Sequence, residues 1–169
     1  MREIADVRDG THNSPEYVND GHPLITSKNV GSGYINYENV NYVSRTDFEQ
    51  INKRSKVDVN DILMGMIGTI GNLALIREEP NFAIKNVALI KYTGAYDYKF
   101  LFQELQTSYI ARALLSRMDG GTQKFISLKE IRNLHIMFPT KNEQAKLGKF
   151  LSYFDTLITL HQRKPKSSI

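Results

Sequence analysis

Apolar positions recur at two periods along this chain, and the change from one to the other separates a mainly extended stretch before Asp97 from a mainly helical one after it. Across Asp97 to Met118, Phe102, Leu105, Tyr109, Ala113 and the Leu114/Leu115 pair form an apolar stripe. Lys99, Gln103, Gln106, Arg112 and Arg117 lie largely off it, so the spacing predicts one helix, stopped by Asp119-Gly120-Gly121. A second run begins at Thr140, which follows Pro139 and has Glu143 three positions on, the form of a capping box. Beyond it Leu147, Leu151, Phe154 and Ile158 recur in alternating steps of four and three, with Phe150 and Leu157 beside that line. This is heptad spacing over too few heptads for an isolated helix. The seam packs either on the globular body or on a partner helix.

Shorter patterns occupy the rest. Arg2 to Val7 is a short extended or helical opening, and Arg8 to Pro15 reads as a polar loop. HPLITSKNV, residues 22 to 30, predicts a strand with a polar tip, turned by Gly31-Ser32-Gly33 into a tyrosine-rich extended run. Ser44/Asp47 and Thr46/Glu49 predict a short helix over Asp47 to Asn52. Residues 59 to 94 predict a turn at Asn60-Asp61, a buried strand at Ile62 to Met66 and a tight connection over Gly68-Thr69-Ile70-Gly71. A return strand at Leu73 to Arg77 and a further strand at Ala83 to Lys91 complete this middle. Ser127 and Glu130 form a second capping box for a helical turn or two, and Leu134 to Phe138 is expected to be a strand. The expected architecture is mixed α/β, a strand-rich body (1 to 139) followed by a coiled-coil-type helix (140 to 164) and a disordered tail (165 to 169).

At 169 residues the chain fits one ordinary domain with a helical appendage. It has no cysteine, which excludes disulfides, Cys-ligated zinc and iron–sulfur centres, and no apolar run long enough for a signal peptide or a membrane span. A cytoplasmic location with no membrane contact is expected. The formal net charge of +4 permits contact with polyanions without demanding it.

Several constellations suggest chemistry. Asp9, His12, Asp20 and His22 can be bent into a metal-ligand set, although a hydrated hairpin loop accounts for them as well. Glycines at 65, 68 and 71 have the look of a phosphate cradle, but the lysine followed by serine or threonine is missing and no long amphipathic helix follows. A hairpin with close backbone approach is therefore expected. No Gly-x-Ser-x-Gly and no Pro-Pro dipeptide occur, and the close acidic sets, Asp58/Asp61 and Glu78/Glu79, have no evident lysine to go with them. Neither catalytic residues nor a cofactor or metal are expected. Tyr34, Tyr37 and Tyr42 suit stacking on bases or packing on neighbouring strands.

The ordered set of RDGTH, PLITSKNV, NDILMGMIGTIGNLALI, KNVALIK, GGTQKFISLKEIRNLHIMFP and NEQAKLGKFLSYFDTLI resembles one target-recognition half of the specificity subunit of type I restriction-modification enzymes. The resemblance covers nearly the whole chain. It implies a domain that reads one half of a split DNA sequence, followed by a spacer helix. It further implies methyltransferase subunits as partners, and a restriction subunit reached through the assembled complex. The usual subunit carries two recognition domains and two spacers, whereas this chain has room for one of each, and Pro165 limits the helix.

Base reading needs forked polar groups on rigid loops, and backbone contact needs cations, hydroxyls and peptide N–H groups. Lys28 and Asn29, preceded by Thr26 and Ser27, sit at a strand tip, Thr69 at the hairpin tip, Lys85 and Asn86 in an otherwise apolar strand, and Thr122, Gln123 and Lys124 after two glycines. Asn29, Asn86 and Gln123 are the expected base readers, with Lys28, Lys85 and Lys124 nearer phosphates. Leu147, Leu151, Phe154 and Ile158 form the expected helix interface, to a methyltransferase or to a second copy in a weak homodimer. A scaffold or decoy that docks on a methyltransferase without reading sequence is the alternative.

Overall fold

The computed structural model describes residues 1, 4–31, 33–121 and 124–162. Thr122, Gln123, Pro165 and the expected tail lie outside them. Two four-stranded sheets pack face to face. One has the order β1 (Asp6–Asp9), β8 (Val87–Lys91), β5 (Ile62–Gly65), β6 (Leu73–Leu75) and is antiparallel throughout. The other runs β2 (Tyr17–Val18), β4 (Asn41–Val43), β3 (His22–Thr26), β7 (Ala83–Lys85), with β3 and β7 parallel.

Side-chain alternation along the strands builds three apolar layers. Leu63, Ala74 and Leu89 from the first sheet meet Ile25 and Ile84 from the second in the layer between them. The opposite face of the first sheet, with Val7, Ile62, Met64 and Ile90, is covered by α2 (Tyr98–Glu104), α3 (Ser108–Leu115) and α4 (Leu128–Arg132). The outer face of the second sheet packs Leu24, Val43 and Ala83 on Phe48 and Ile51 of α1 (Arg45–Ser55). The long terminal helix is α5, Lys141–Gln162.

Five expectations change. The run Ala83 to Lys91 is two strands, because Asn86 adopts a positive φ of 53° and sends β7 and β8 into different sheets. The single helix at Asp97 to Met118 is two, because Thr107 caps a new helix: its hydroxyl receives the Ile110 N–H at 3.4 Å and donates to Glu104 O. The break buries Ile110 and leaves Tyr109 and Leu115 exposed. Leu134 to Phe138 alternates in burial like a strand but joins no ladder among the described residues. HPLITSKNV ends its strand at Thr26 and closes in a 3-10 turn, Ser27–Asn29. The short helix after Ser44 is longer than expected, with Ser44 as its cap, while Thr140 and Glu143 form a complete capping box through bonds of 3.0 and 3.4 Å.

Candidate nucleic-acid interface

Four connections meet at one end of the sheet pair: the 3-10 turn after β3, the glycine hairpin between β5 and β6, the β7–β8 junction, and the loop that precedes α4. Ser27 ties the first three together. Its Oγ donates to Asn86 O at 2.6 Å and accepts the N–H groups of Met66 at 2.9 Å and Ile67 at 3.2 Å, while its carbonyl accepts the Thr69 hydroxyl at 2.5 Å. The fourth joins through Gly68 N–H to Lys124 O at 3.4 Å and the bridge between Ile67 and Phe125. Within the hairpin a Cβ on Gly65 would stand 2.4 Å from Thr69 O, so the backbone approaches itself as closely as the glycine spacing suggested.

The site residues expected from sequence divide into two groups on this geometry. Asn29 is 2% exposed. Its Oδ1 accepts the Thr26 N–H at 3.0 Å and the Thr26 hydroxyl at 2.8 Å, and its Nδ2 donates to Asn36 O at 3.1 Å. Both ends of the amide hold the turn, so Asn29 leaves the set of candidate base readers, and Thr26, Ser27 and Thr69 likewise spend their side chains on internal bonds. Lys28 and Lys124 are exposed, and among the described residues their side chains make no hydrogen bond or ion pair. Lys85 is half-buried and donates to Ser14 Oγ at 2.8 Å. Asn86 is held at the junction through its main chain, donating to Thr11 O at 3.2 Å and receiving the Ser27 hydroxyl, while its half-buried side chain meets His12.

Sequence reading missed a neighbour of this group. His12 lies between Asn86 Oδ1, 2.8 Å from Nδ1, and Asp9 Oδ2, 2.7 Å from Nε2, and the other Asp9 oxygen accepts from Arg54. The bonds to Asn86 and then Asp9 hold the imidazole above its ordinary range. His22 is elsewhere, stacked on Phe48 and bonded to Asn81. Among the described residues no three acidic or imidazole groups gather for a metal. A lysine does serve the Asp58/Asp61 pair, contrary to expectation: Lys91 Nζ bonds Asp58 at 2.5 Å and Asp61 at 2.7 Å. Asp61 also accepts the N–H groups of Asp58 and Tyr92, so the cluster clamps a turn, and the bonds from Lys91 and then Lys56 hold Asp58 below the usual carboxylate range.

The terminal helix turns a small and polar line inward. Gln144 Oε1 accepts the Asp97 N–H at 3.0 Å and its Nε2 donates to Pro139 O at 2.8 Å. One turn on, Gly148 lies so close to α2 that a Cβ there would stand 2.6 Å from Asp97 Oδ1, and further on Asp155 accepts from Gln103 at 2.5 Å. Leu147, Leu151, Phe154 and Ile158 consequently lie beside this line rather than on it and are 38 to 53% exposed, with Ile158 lining a groove opposite Tyr34 and Phe102. Neither Gln144 nor Gly148 stood out in the sequence, where Gly148 shows only as a glycine inside a helical pattern.

The chain is similar to several known proteins. The chain is 27% identical over 135 residues to the type I restriction enzyme EcoBI specificity subunit of Escherichia coli, covering 77% of this chain and 28% of that one. It is 25% identical to the MjaVIII specificity subunit of Methanocaldococcus jannaschii, covering 100% of this chain and 41% of that one. It therefore spans less than half the length of these relatives. Among solved structures, the S subunit of a type I restriction-modification system from M. genitalium matches with a TM-score of 0.63 at 19% identity over 92% of this chain and 37% of that one. The HsdS subunit of Thermoanaerobacter tengcongensis matches with a TM-score of 0.62 at 16% identity, over 96% and 42%. These likenesses show the fold, a mixed α/β body with a long C-terminal helix. The family model for the type I restriction modification DNA specificity domain matches residues 16–167, and the chain belongs to that family.

Proposed function

We propose that this chain reads one half of a split double-stranded DNA sequence, as a recognition domain of a type I restriction-modification complex, and directs methyltransferase and restriction subunits without catalysing either reaction itself. The observation that carries the reading is the convergence of four connections on one rim. There Lys28 and Lys124 are exposed and the Asn86 amide is half-buried beside His12, while Ser27, Asn29 and Thr69 are spent on holding the rim rigid. Rigid loops with uncommitted cations and an amide supply the two classes of group that DNA recognition needs. In this reading Lys28, Lys85 and Lys124 contact phosphates and Asn86 reads a base edge, and Thr122 and Gln123, which precede Lys124 in the sequence, are proposed as further DNA contacts. Residues 1–139 form the reading body, residues 140–164 the spacer, and the complex works in the cytoplasm.

The family membership and the fold support this reading over a scaffold that ignores sequence. Selection from random duplex DNA, with the chain alone and with a methyltransferase subunit added, is expected to enrich one short motif. The Lys28→Ala/Lys85→Ala/Lys124→Ala variant is expected to bind every duplex more weakly, with a salt dependence shallower by about three units of log–log slope. Equal competition by every duplex, or an unaltered salt slope in the variant, overturns the function or its surface respectively.

A further inference from the structure

The side chain of Asn86 retains one degree of freedom that matters. Its main chain is pinned on both sides, by Thr11 O and by the Ser27 hydroxyl, in a left-handed conformation with φ of 53°. Rotation of the terminal amide by half a turn exchanges Oδ1 and Nδ2 without moving anything else. Which end faces outward then depends on what the inward end meets, and that is Nδ1 of His12 at 2.8 Å.

The other imidazole nitrogen is not free to choose. Nε2 is 2.7 Å from Asp9 Oδ2, a carboxylate that only accepts, so Nε2 carries its proton in both the charged and the neutral ring. Nδ1 is therefore the atom that gains and loses a proton. When protonated it donates to Asn86 Oδ1, and the Nδ2 amino group faces outward as a pair of donors. When deprotonated it is an acceptor, and an oxygen opposite it is repelled. The amide then turns, Nδ2 donates inward to Nδ1, and Oδ1 faces outward.

We propose that His12 sets which end of the Asn86 amide is presented and hence whether this position reads an acceptor or a donor on a base edge, an inference that rests on the DNA-reading function above. Outward Nδ2 suits guanine O6 and N7, adenine N7 or thymine O4, and outward Oδ1 suits adenine N6 or cytosine N4. The charged groups that face His12 are Asp9 from β1 and, through Asp9, Arg54 from α1, while Lys85 is turned to Ser14. The bonds to Asn86 and Asp9 favour the charged ring against burial and the charge of Arg54, so the change belongs above the ordinary histidine value of 6.5.

The test is selection from random duplex DNA at about pH 6 and about pH 9, with the wild-type chain and His12→Ala, in the presence of the methyltransferase subunit. At one motif position the wild type is expected to move from an acceptor edge at low pH to a donor edge at high pH, by about tenfold in relative affinity. His12→Ala is expected to lose that movement. NMR of the free wild-type chain supplies a readout that needs no variant: the Asn86 side-chain amide signals should titrate with the His12 ring. A motif whose base preference is the same at both pH values, a uniform loss of affinity for all sequences as pH rises, or an Asn86 amide indifferent to the His12 titration overturns this inference and leaves DNA reading intact. Absence of any motif at either pH overturns the DNA-reading function and this inference with it.

Discussion

Ser27 and Lys28 are adjacent in the sequence, yet their side chains do unrelated work. The Ser27 hydroxyl serves Asn86 O and the N–H groups of Met66 and Ile67 at a buried junction, so Ser27→Ala leaves main-chain groups without partners. A buried unsatisfied group costs about 1–3 kcal/mol, and the expected loss here is about 3 kcal/mol, measurable by urea denaturation. The Lys28 side chain makes no hydrogen bond or ion pair among the described residues. Lys28→Ala is expected to change stability by less than about 0.5 kcal/mol and to weaken binding to every duplex alike. If instead Ser27→Ala unfolds at the wild-type urea concentration, the junction is not held as described. Sequence placed both residues in one polar tip because both side chains are polar, and burial alone separates them.

At the scale of elements, α5 is seated by absence of a side chain. Gly148 in the middle of a helix forgoes roughly 1 kcal/mol of helix propensity relative to alanine. What it permits is contact with the capped start of α2, where a methyl group would stand 2.6 Å from the Asp97 carboxylate and 2.7 Å from Phe100 N. Asp97 is itself the cap of α2, accepting the Phe100 N–H at 2.8 Å. Overpacking costs about 1–3 kcal/mol and loss of a cap about 1 kcal/mol, which together exceed the propensity gain. Gly148→Ala is thus expected to destabilise the chain by about 1–2 kcal/mol in denaturant titration, and a stabilised variant would show that α5 does not lie on α2. The capping box at Thr140 and Glu143 was readable because it involves residues three apart; the seat of Gly148 was not, because its partners are some fifty residues away.

For the whole molecule the exposed row on α5 decides association. Covering the half-exposed Leu147, Leu151, Phe154 and Ile158 is worth roughly 1 kcal/mol each by area. In a dimer both copies cover the row, and the sum, roughly 8 kcal/mol, only falls within the roughly 4–15 kcal/mol that association costs. Two copies meeting through this row alone form at most a weak dimer, and a partner that also contacts Phe150 and Leu157 holds better. Leu151→Glu/Ile158→Glu is expected to abolish self-association or methyltransferase binding in analytical ultracentrifugation while circular dichroism stays that of the folded chain. Unfolding of this variant, or a parent chain that is monomeric and indifferent to the methyltransferase, removes the row from the assembly.

Patterns confined to a few neighbouring residues were legible without a structure: the caps at Ser127 and Thr140, the glycine hairpin, and the heptad row on the last helix. Each follows from local dihedral preferences and short-range hydrogen bonds. The tertiary structure alone decided that Asn86 divides one apolar run between two sheets, that Asn29 is consumed by its own turn, and that the helix turns Gln144 and Gly148 rather than its leucines toward the body. It also brought His12 to Asn86, 74 positions apart. Such choices depend on which distant groups compete for the same donor, acceptor or space, and a one-dimensional pattern carries no distance across the fold.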